Sequence, residues 1–214
     1  MITRIGICDY GVGNLRSVER ALRVAGAEPV ISSDPSAIAA CDGVILPGVG
    51  AFGIAARALR DSGLGAAVHD MAVRARPVLG ICLGYQLLFE SSDEGRGGEG
   101  LALLPGRVAR LPATPGLKVP HMGWNTITTS RASALLEGIA SGAPMYFVHS
   151  YAARPDPADI VAVTEYGAVL AAAVERGTVT GTQFHPEKSG AAGLRVYANF
   201  VGLCAVRVPA QRAG

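Results

Sequence analysis

Short apolar runs alternate with amphipathic stretches through the first ninety or so residues. The runs at 5–8, 29–31, 43–46 and 77–81 read as strands. Between the first two, Leu15, Val18, Leu22 and Ala25 recur at helical spacing, and Gly26 stands where a helix stop belongs. Further helices are expected at 51–60 and 64–76, and 85–90 reads as the start of another. Strands alternating with helices at this spacing predict a mainly parallel sheet covered on both faces. The runs lack strict polar alternation, as strands buried on both sides do.

After Ser91 the texture changes. Residues 93–100 form a polar, glycine-rich loop, and short strand-like runs follow at 107–111, 125–129, 145–149, 160–164, 169–174 and 179–184, separated by turn residues. This half reads as antiparallel or mixed. A last helix is expected to place Leu194, Tyr197, Val201 and Cys204 on one face, and 208–214 to fray. The predicted class is therefore α/β: a mainly parallel central sheet flanked by helices, with a smaller mixed or antiparallel sheet in the C-terminal half. No internal repeat or long linker divides the chain, so 1–214 is expected to be a single domain.

Composition narrows the function classes. Half of the 214 residues are hydrophobic and 17% are charged, which excludes an extended disordered chain. A net charge of +2, with basic residues scattered, leaves no footprint for nucleic acid or an anionic membrane. No segment approaches the roughly 20 apolar residues of a membrane span, and the first residues do not read as a signal peptide. Cys8, Cys41, Cys82 and Cys204 lie far apart with no CxxC pair. A reduced, cytoplasmic protein is expected, with neither a disulfide framework nor a metal site and no cofactor.

One cysteine stands out. Gly80-Ile81-Cys82-Leu83-Gly84 joins a predicted strand to a predicted helix and is the thiol form of the G-x-S-x-G elbow. On so sharp a turn the residues two positions away crowd the backbone, hence glycine on both sides. The turn sets the sulfur at the carboxyl end of the sheet and the amino end of the next helix, where the thiolate is favoured. The N–H of Leu83 would face a developing oxyanion. The plainer reading, a buried small hydrophobe, suits the other three cysteines better.

A thiol nucleophile needs a histidine, and the histidine needs an orienting group. Of four histidines, His69 lies in a helical stretch, while His185 follows the apolar run 179–184 and opens His185-Pro186-Glu187. Pro186 keeps His185 extended. Residues two apart in an extended chain share a side, so Glu187 can hold the ring. Alone this tripeptide would read as a surface turn; beside the elbow it completes a triad.

Together these residues resemble the class I (triad) glutamine amidotransferases. The likeness extends through Gly80-Ile81-Cys82-Leu83-Gly84-Tyr85-Gln86 and His185-Pro186-Glu187 to Asp9-Tyr10-Gly11-Val12-Gly13-Asn14, Pro47-Gly48-Val49-Gly50-Ala51-Phe52, Pro120-His121-Met122-Gly123-Trp124-Asn125 and Tyr146-Phe147-Val148-His149-Ser150-Tyr151. Pro-Gly-Val-Gly and His-Met-Gly-Trp-Asn are most similar to the glutaminase subunits of imidazole glycerol phosphate synthases. Tyr85 and Ala152 depart from residues common in the family.

The resemblance implies that the chain hydrolyses glutamine and passes ammonia to a barrel-shaped cyclase subunit, as a heterodimer, in histidine biosynthesis. It implies Cys82 as nucleophile, His185 as proton carrier and Glu187 as its orienter. Val49 and Leu83 would supply the oxyanion hole, and Gly50, Gln86 and Ser150 would hold glutamine. Asn14, Met122, Trp124 and Lys188 would face the partner, and His121 and His149 would shape the site or interface. Valine at 49, where related enzymes have glycine, implies an oxyanion hole poorly formed until the partner docks.

Two rival readings share features. Gly11-Val12-Gly13 after strand one, with Asp34 further on, is a weak dinucleotide-binding signature in which Arg16 replaces the third glycine. A Cys-His hydrolase such as a peptidase or γ-glutamyl hydrolase would use the same elbow and histidine, but not the set around Trp124.

Overall fold

The four apolar runs of the first half pair side by side as parallel strands: β1 (Arg4–Cys8), β2 (Glu28–Ser32), β3 (Gly43–Leu46) and β4 (Val78–Ile81). The helices between them are α1 (Leu15–Val24), α2 (Pro35–Ala39), α3 (Phe52–Asp61) and α4 (Leu64–Val73). This computed structural model describes residues 2–206; the fray expected at 208–214 lies outside them.

Helix α4 stops short of the expected residue 76, because Ala75 turns left-handed at φ 56° ahead of Pro77, which disfavours helical backbone before it. Helix α2 was not evident from periodicity, being five residues long. Asp34 caps it, accepting from the Ser36 N–H at 2.8 Å. That carboxylate is thereby a helix cap, which removes the acidic residue on which the dinucleotide reading leaned.

After β4 comes α5 (Leu83–Gln86), and then the chain departs from expectation. Residues 89–90 leave the helix and open β5 (Phe89–Ser92), which pairs with β6 (Gly98–Glu99) and β7 (Leu104–Arg110). The remaining strands are β8 (His121–Thr126), β9 (Thr128–Thr129), β10 (Pro144–His149), β11 (Tyr151–Pro155), β12 (Ile160–Glu165), β13 (Val169–Arg176) and β14 (Val179–Thr182). Among them β11 is a strand that no apolar run announced.

Three sheets result. The central one has the order β2-β1-β3-β4-β14-β13-β12-β9; β8 and β10 form an antiparallel ribbon, and β11-β7-β5-β6 a small mixed sheet. The α/β class holds, with smaller sheets beside the main one. However, β12, β13 and β14 extend the central sheet instead of building a separate one. Strand β14 docks parallel on β4, with Gly181 opposite Gly80 and Thr182 opposite Ile81. This pairing brings a segment from near the end of the chain to the edge of the elbow.

The core divides across the central sheet. Ile5, Ile7, Ile45, Leu79 and Ile81 face one side and pack under α1 and the last helix, α6 (Gly190–Ala205); Val44, Leu46 and Val78 face the other, under α2, α3 and α4. Alternate residues of one strand thus feed two cores, so no polar alternation shows in the sequence. On α6 the buried positions are Gly193, Val196, Tyr197, Phe200 and Cys204. Leu194, expected inside, is 39% exposed, because the buried stripe is shifted one position toward the helix N-terminus, with Gly193 and Phe200 inside in place of Leu194 and Val201.

Candidate functional site

Cys82 follows β4 in a strained conformation, φ 53° and ψ −107°, a region that side chains other than glycine rarely occupy. Its N–H donates to the Thr182 carbonyl at 2.8 Å, binding the elbow to β14. The flanking glycines are sterically required. A Cβ on Gly84 would lie 1.7 Å from the Leu46 carbonyl oxygen, and one on Gly80 would lie 2.6 Å from the Tyr85 Cα.

The helix expected to favour the thiolate is a single turn, α5, so few peptide dipoles align behind the sulfur. Stabilisation of a thiolate therefore falls to side chains. His185, 2% exposed, leaves the end of β14 in extended conformation at φ −97°. Pro186 then starts a 3-10 turn over Pro186–Lys188, so Glu187 folds back to the ring through a turn and not along an extended strand. Glu187 Oε1 lies 2.7 Å from His185 Nδ1, and the Glu187 side chain is 2% exposed. The buried phenol of Tyr197 donates to Glu187 Oε2 at 3.5 Å.

This setting decides the charge of His185. Burial opposes its protonation most strongly, but Cys82 and Glu187 together outweigh burial and hold it up at about 10. The other ring nitrogen, Nε2, is buried without a hydrogen-bond partner. On the wall of the cleft beside Cys82, it is placed to pass a proton between the sulfur and a bound molecule. By contrast, Cys8, Cys41 and Cys204 are buried thiols pushed upward by desolvation, Cys8 to about 12, which leaves them inert packing residues.

A cleft of about 390 Å³ collects Cys82 and His185 with Val49, Gly50, Leu83, Gln86 and Ser150. All the residues expected at the oxyanion and substrate positions thus meet in one place. In the 48–50 loop the left-handed residue is Gly50, at φ 106°, and Val49 is not among the positive-φ residues. The Gln86 amide donates from Nε2 to the Tyr151 carbonyl at 2.8 Å and to Gln183 Oε1 at 3.0 Å, so its Oε1 is the atom left to accept from the cleft.

Two residues at or behind the cleft were missed in sequence. Glu94, from the glycine-rich loop, reaches the cleft and accepts from the Phe52 N–H at 2.8 Å. Gln183, 1% exposed, donates from Nε2 to Cys82 Sγ at 3.8 Å. A carboxamide inside the otherwise apolar run 179–184 was the signal that could have found it; Glu94 had none. His149 lines the cleft and His121 lies behind it, both buried and both held near 4 chiefly by desolvation.

Outside the cleft, Met122 and Trp124 are 63% and 59% exposed on β8. Trp124 meets the Tyr146 ring edge-on at 6.1 Å, and Lys188 Nζ sits 5.5 Å from that ring's centre. The structure therefore joins three of the four residues expected at a partner surface. Asn14 is half-buried at the start of α1, in the loop whose Gly13 packs against Pro47, and α1 packs against the 186–188 turn that carries Lys188. Among the described residues no cluster of His, Cys, Asp and Glu could hold a metal ion, and no helix is long and apolar enough to cross a membrane.

Comparison with known proteins adds three findings. The glutamine amidotransferase class-I family pattern matches residues 6–202. The chain is 52% identical over 197 residues to the imidazole glycerol phosphate synthase subunit HisH of Moorella thermoacetica, covering 92% of this chain and 93% of that protein. With the protein of the same name from Methanosarcina mazei it is 51% identical over 203 residues, covering 94% and 99%. Among solved structures, PurLQS from Thermotoga maritima shares the fold with a TM-score of 0.75 at 20% identity, covering 94% of this chain and 99% of that one. A structure described as a glutamine amidotransferase has a TM-score of 0.74 at 19% identity, with the same coverage.

Proposed function

This chain belongs to the class-I glutamine amidotransferases, and we propose that it is the glutaminase subunit of an imidazole glycerol phosphate synthase. It hydrolyses glutamine to glutamate and ammonia. A separate, barrel-shaped cyclase subunit receives the ammonia in a heterodimer and makes imidazole glycerol phosphate and aminoimidazole carboxamide ribotide, a step of histidine biosynthesis in the cytoplasm. The whole chain acts as one domain.

The observation that carries the catalytic reading is the pairing of β4 with β14. It sets a thiol on a strained elbow beside a buried, carboxylate-held imidazole. In this reading the thiolate of Cys82 attacks the side-chain amide carbon of glutamine. The oxyanion forms against the N–H groups of Leu83 and Val49. His185, protonated across the neutral range, gives its proton to the departing ammonia. A water then attacks the thioester, losing its proton to His185, and glutamate leaves. Glu187 holds the imidazole in register throughout.

The substrate's charged end also finds complements. Gln86 Oε1 and the Glu94 carboxylate suit an α-ammonium. Gly50 and Ser150 offer polar groups to the α-carboxylate. Met122, Trp124 and Lys188, with Asn14, form the surface that meets the cyclase.

The test is ammonia release from glutamine by this chain alone and with a cyclase subunit and its nucleotide. Turnover is expected to rise at least tenfold in the complex, and Cys82→Ala is expected to abolish it while the complex still forms. Preference for γ-glutamyl peptides over glutamine would instead identify a hydrolase on the same scaffold, and substantial turnover by Cys82→Ala would remove the nucleophile assignment.

A further inference from the structure

Behind the cleft, the side chains of Asn125, His121 and His149 and those of Gln86 and Gln183 form two hydrogen-bonded series that meet as donors on the Tyr151 carbonyl, and the direction of each can be worked out link by link. Asn125 Oδ1 accepts from the Thr126 N–H at 2.8 Å, and its Nδ2 donates to the Glu165 carbonyl at 2.9 Å. Both ends of that amide are thereby fixed, and Nδ2 also faces His121 Nε2 at 3.2 Å. His121 Nε2 must accept, so the proton of the neutral ring sits on Nδ1.

His121 Nδ1 donates in turn to His149 Nε2 at 3.0 Å, which places the His149 proton on Nδ1, 2.8 Å from the Tyr151 carbonyl. The same carbonyl accepts from Gln86 Nε2 at 2.8 Å. The second N–H of Gln86 goes to Gln183 Oε1 at 3.0 Å, which leaves Gln183 Nε2 turned toward Cys82 Sγ at 3.8 Å. These partners leave one arrangement of protons on the two neutral histidines.

We propose that Gln183 is a positioning residue for the nucleophile. It is the inner end of a chain that fixes the aim of the Cys82 sulfur and the acceptor face of Gln86, and ties both to strand β8. The proposal rests on the reading of Cys82 as the glutaminase nucleophile. Three features carry it. Gln183 is 1% exposed, and its one other side-chain partner besides the sulfur is Gln86, so its amide has no packing alternative. Its N–H donates to the sulfur in the orientation that favours a thiolate. At the outer end, His121 and Asn125 alternate along β8 with Met122 and Trp124, whose side chains are exposed, so a molecule seated on that strand bears on the same chain. Protonation of either histidine would set donor against donor. Burial keeps both neutral down to about pH 4, so the chain persists through the physiological range.

Two measurements test it, both on the full chain assembled with its cyclase. In the first, 15N NMR of the histidine rings should find His121 and His149 neutral and protonated at Nδ1, the less common tautomer in water; an Nε2-protonated His149 would overturn the chain. In the second, Gln183→Met, which keeps length but has neither donor nor acceptor, should slow iodoacetamide alkylation of Cys82 about tenfold and raise KM for glutamine by a similar factor. Gln183→Glu keeps an acceptor for Gln86 and should restore KM more than alkylation. Alkylation and KM both at the wild-type value in Gln183→Met would sink the proposal. The glutaminase reading fails separately, through ammonia release by Cys82→Ala.

Discussion

His185 Nδ1 lies 2.7 Å from Glu187 Oε1, between two side chains each 2% exposed. The pair is two residues apart, so its geometry is set by a local turn, while the charge on the ring is held against burial by Cys82, far away in sequence, together with Glu187. In the folded chain His185 is raised to about 10, above the ordinary histidine value of 6.5. Between those values the folded state holds a proton that the unfolded state has lost. This contribution to stability is therefore complete below about pH 6.5 and fades as pH rises through about 10. The melting temperature is expected to fall across that window, and to fall less in Glu187→Gln, where no carboxylate faces the ring. Identical slopes in the two proteins would contradict the assignment. Glu187→Gln should also lower kcat at least a hundredfold with little change in KM, because the ring loses its orientation and not the substrate its site.

The acid side should carry a different signature. His121 and His149 are held near 4, while the unfolded chain takes up protons on both from about 6.5 downward. Stability is expected to fall as pH drops from about 6.5 through 4. A His121→Gln variant should lose part of that slope between pH 6.5 and 5, where few carboxylates titrate. An unchanged slope, read by urea unfolding at several pH values, would mean that the histidines are not buried neutral.

Gly84→Ala should show how tightly the elbow is built. The added methyl would sit 1.7 Å from the Leu46 carbonyl oxygen, a contact that only backbone movement relieves. A loss of about 3 kcal/mol is expected from overpacking of this kind, and alkylation of Cys82 should change with it as the elbow shifts. Urea unfolding at neutral pH measures the first; wild-type stability would show that β3 and the elbow are not packed as described.

Trp124 offers the converse case. Its side chain is 59% exposed on β8, so Trp124→Ala should leave the stability of the isolated chain within about 0.5 kcal/mol. If this face meets the cyclase, the same change should weaken the complex by about 2 kcal/mol or more, as exposed aromatic anchors do. Titration calorimetry of the two subunits distinguishes the outcomes: undiminished affinity would move the interface elsewhere.

Much of this site was legible because its critical pieces are local. Gly80 and Gly84 flank Cys82 at a spacing that only a cramped turn explains, and His185-Pro186-Glu187 carries base and orienter within three residues. Short-range sterics act on neighbours in sequence, so they leave a pattern there. The same locality misled where a turn replaced the strand assumed at Glu187, and where α5 ended after one turn because Phe89 pairs with Leu104.

By itself, then, the sequence determined the parallel first half, the strained thiol and the motif holding the imidazole, since periodicity and glycine placement follow from backbone geometry. Only the tertiary structure decided that β14 lies against β4, bringing His185 to Cys82, and that β12 and β13 extend the same sheet. It alone set Gln86 and Gln183 in contact and directed Glu94 into the cleft. Such pairings join residues dozens of positions apart, and they are chosen by how two cores fill across one sheet, a cooperative outcome that no single segment encodes.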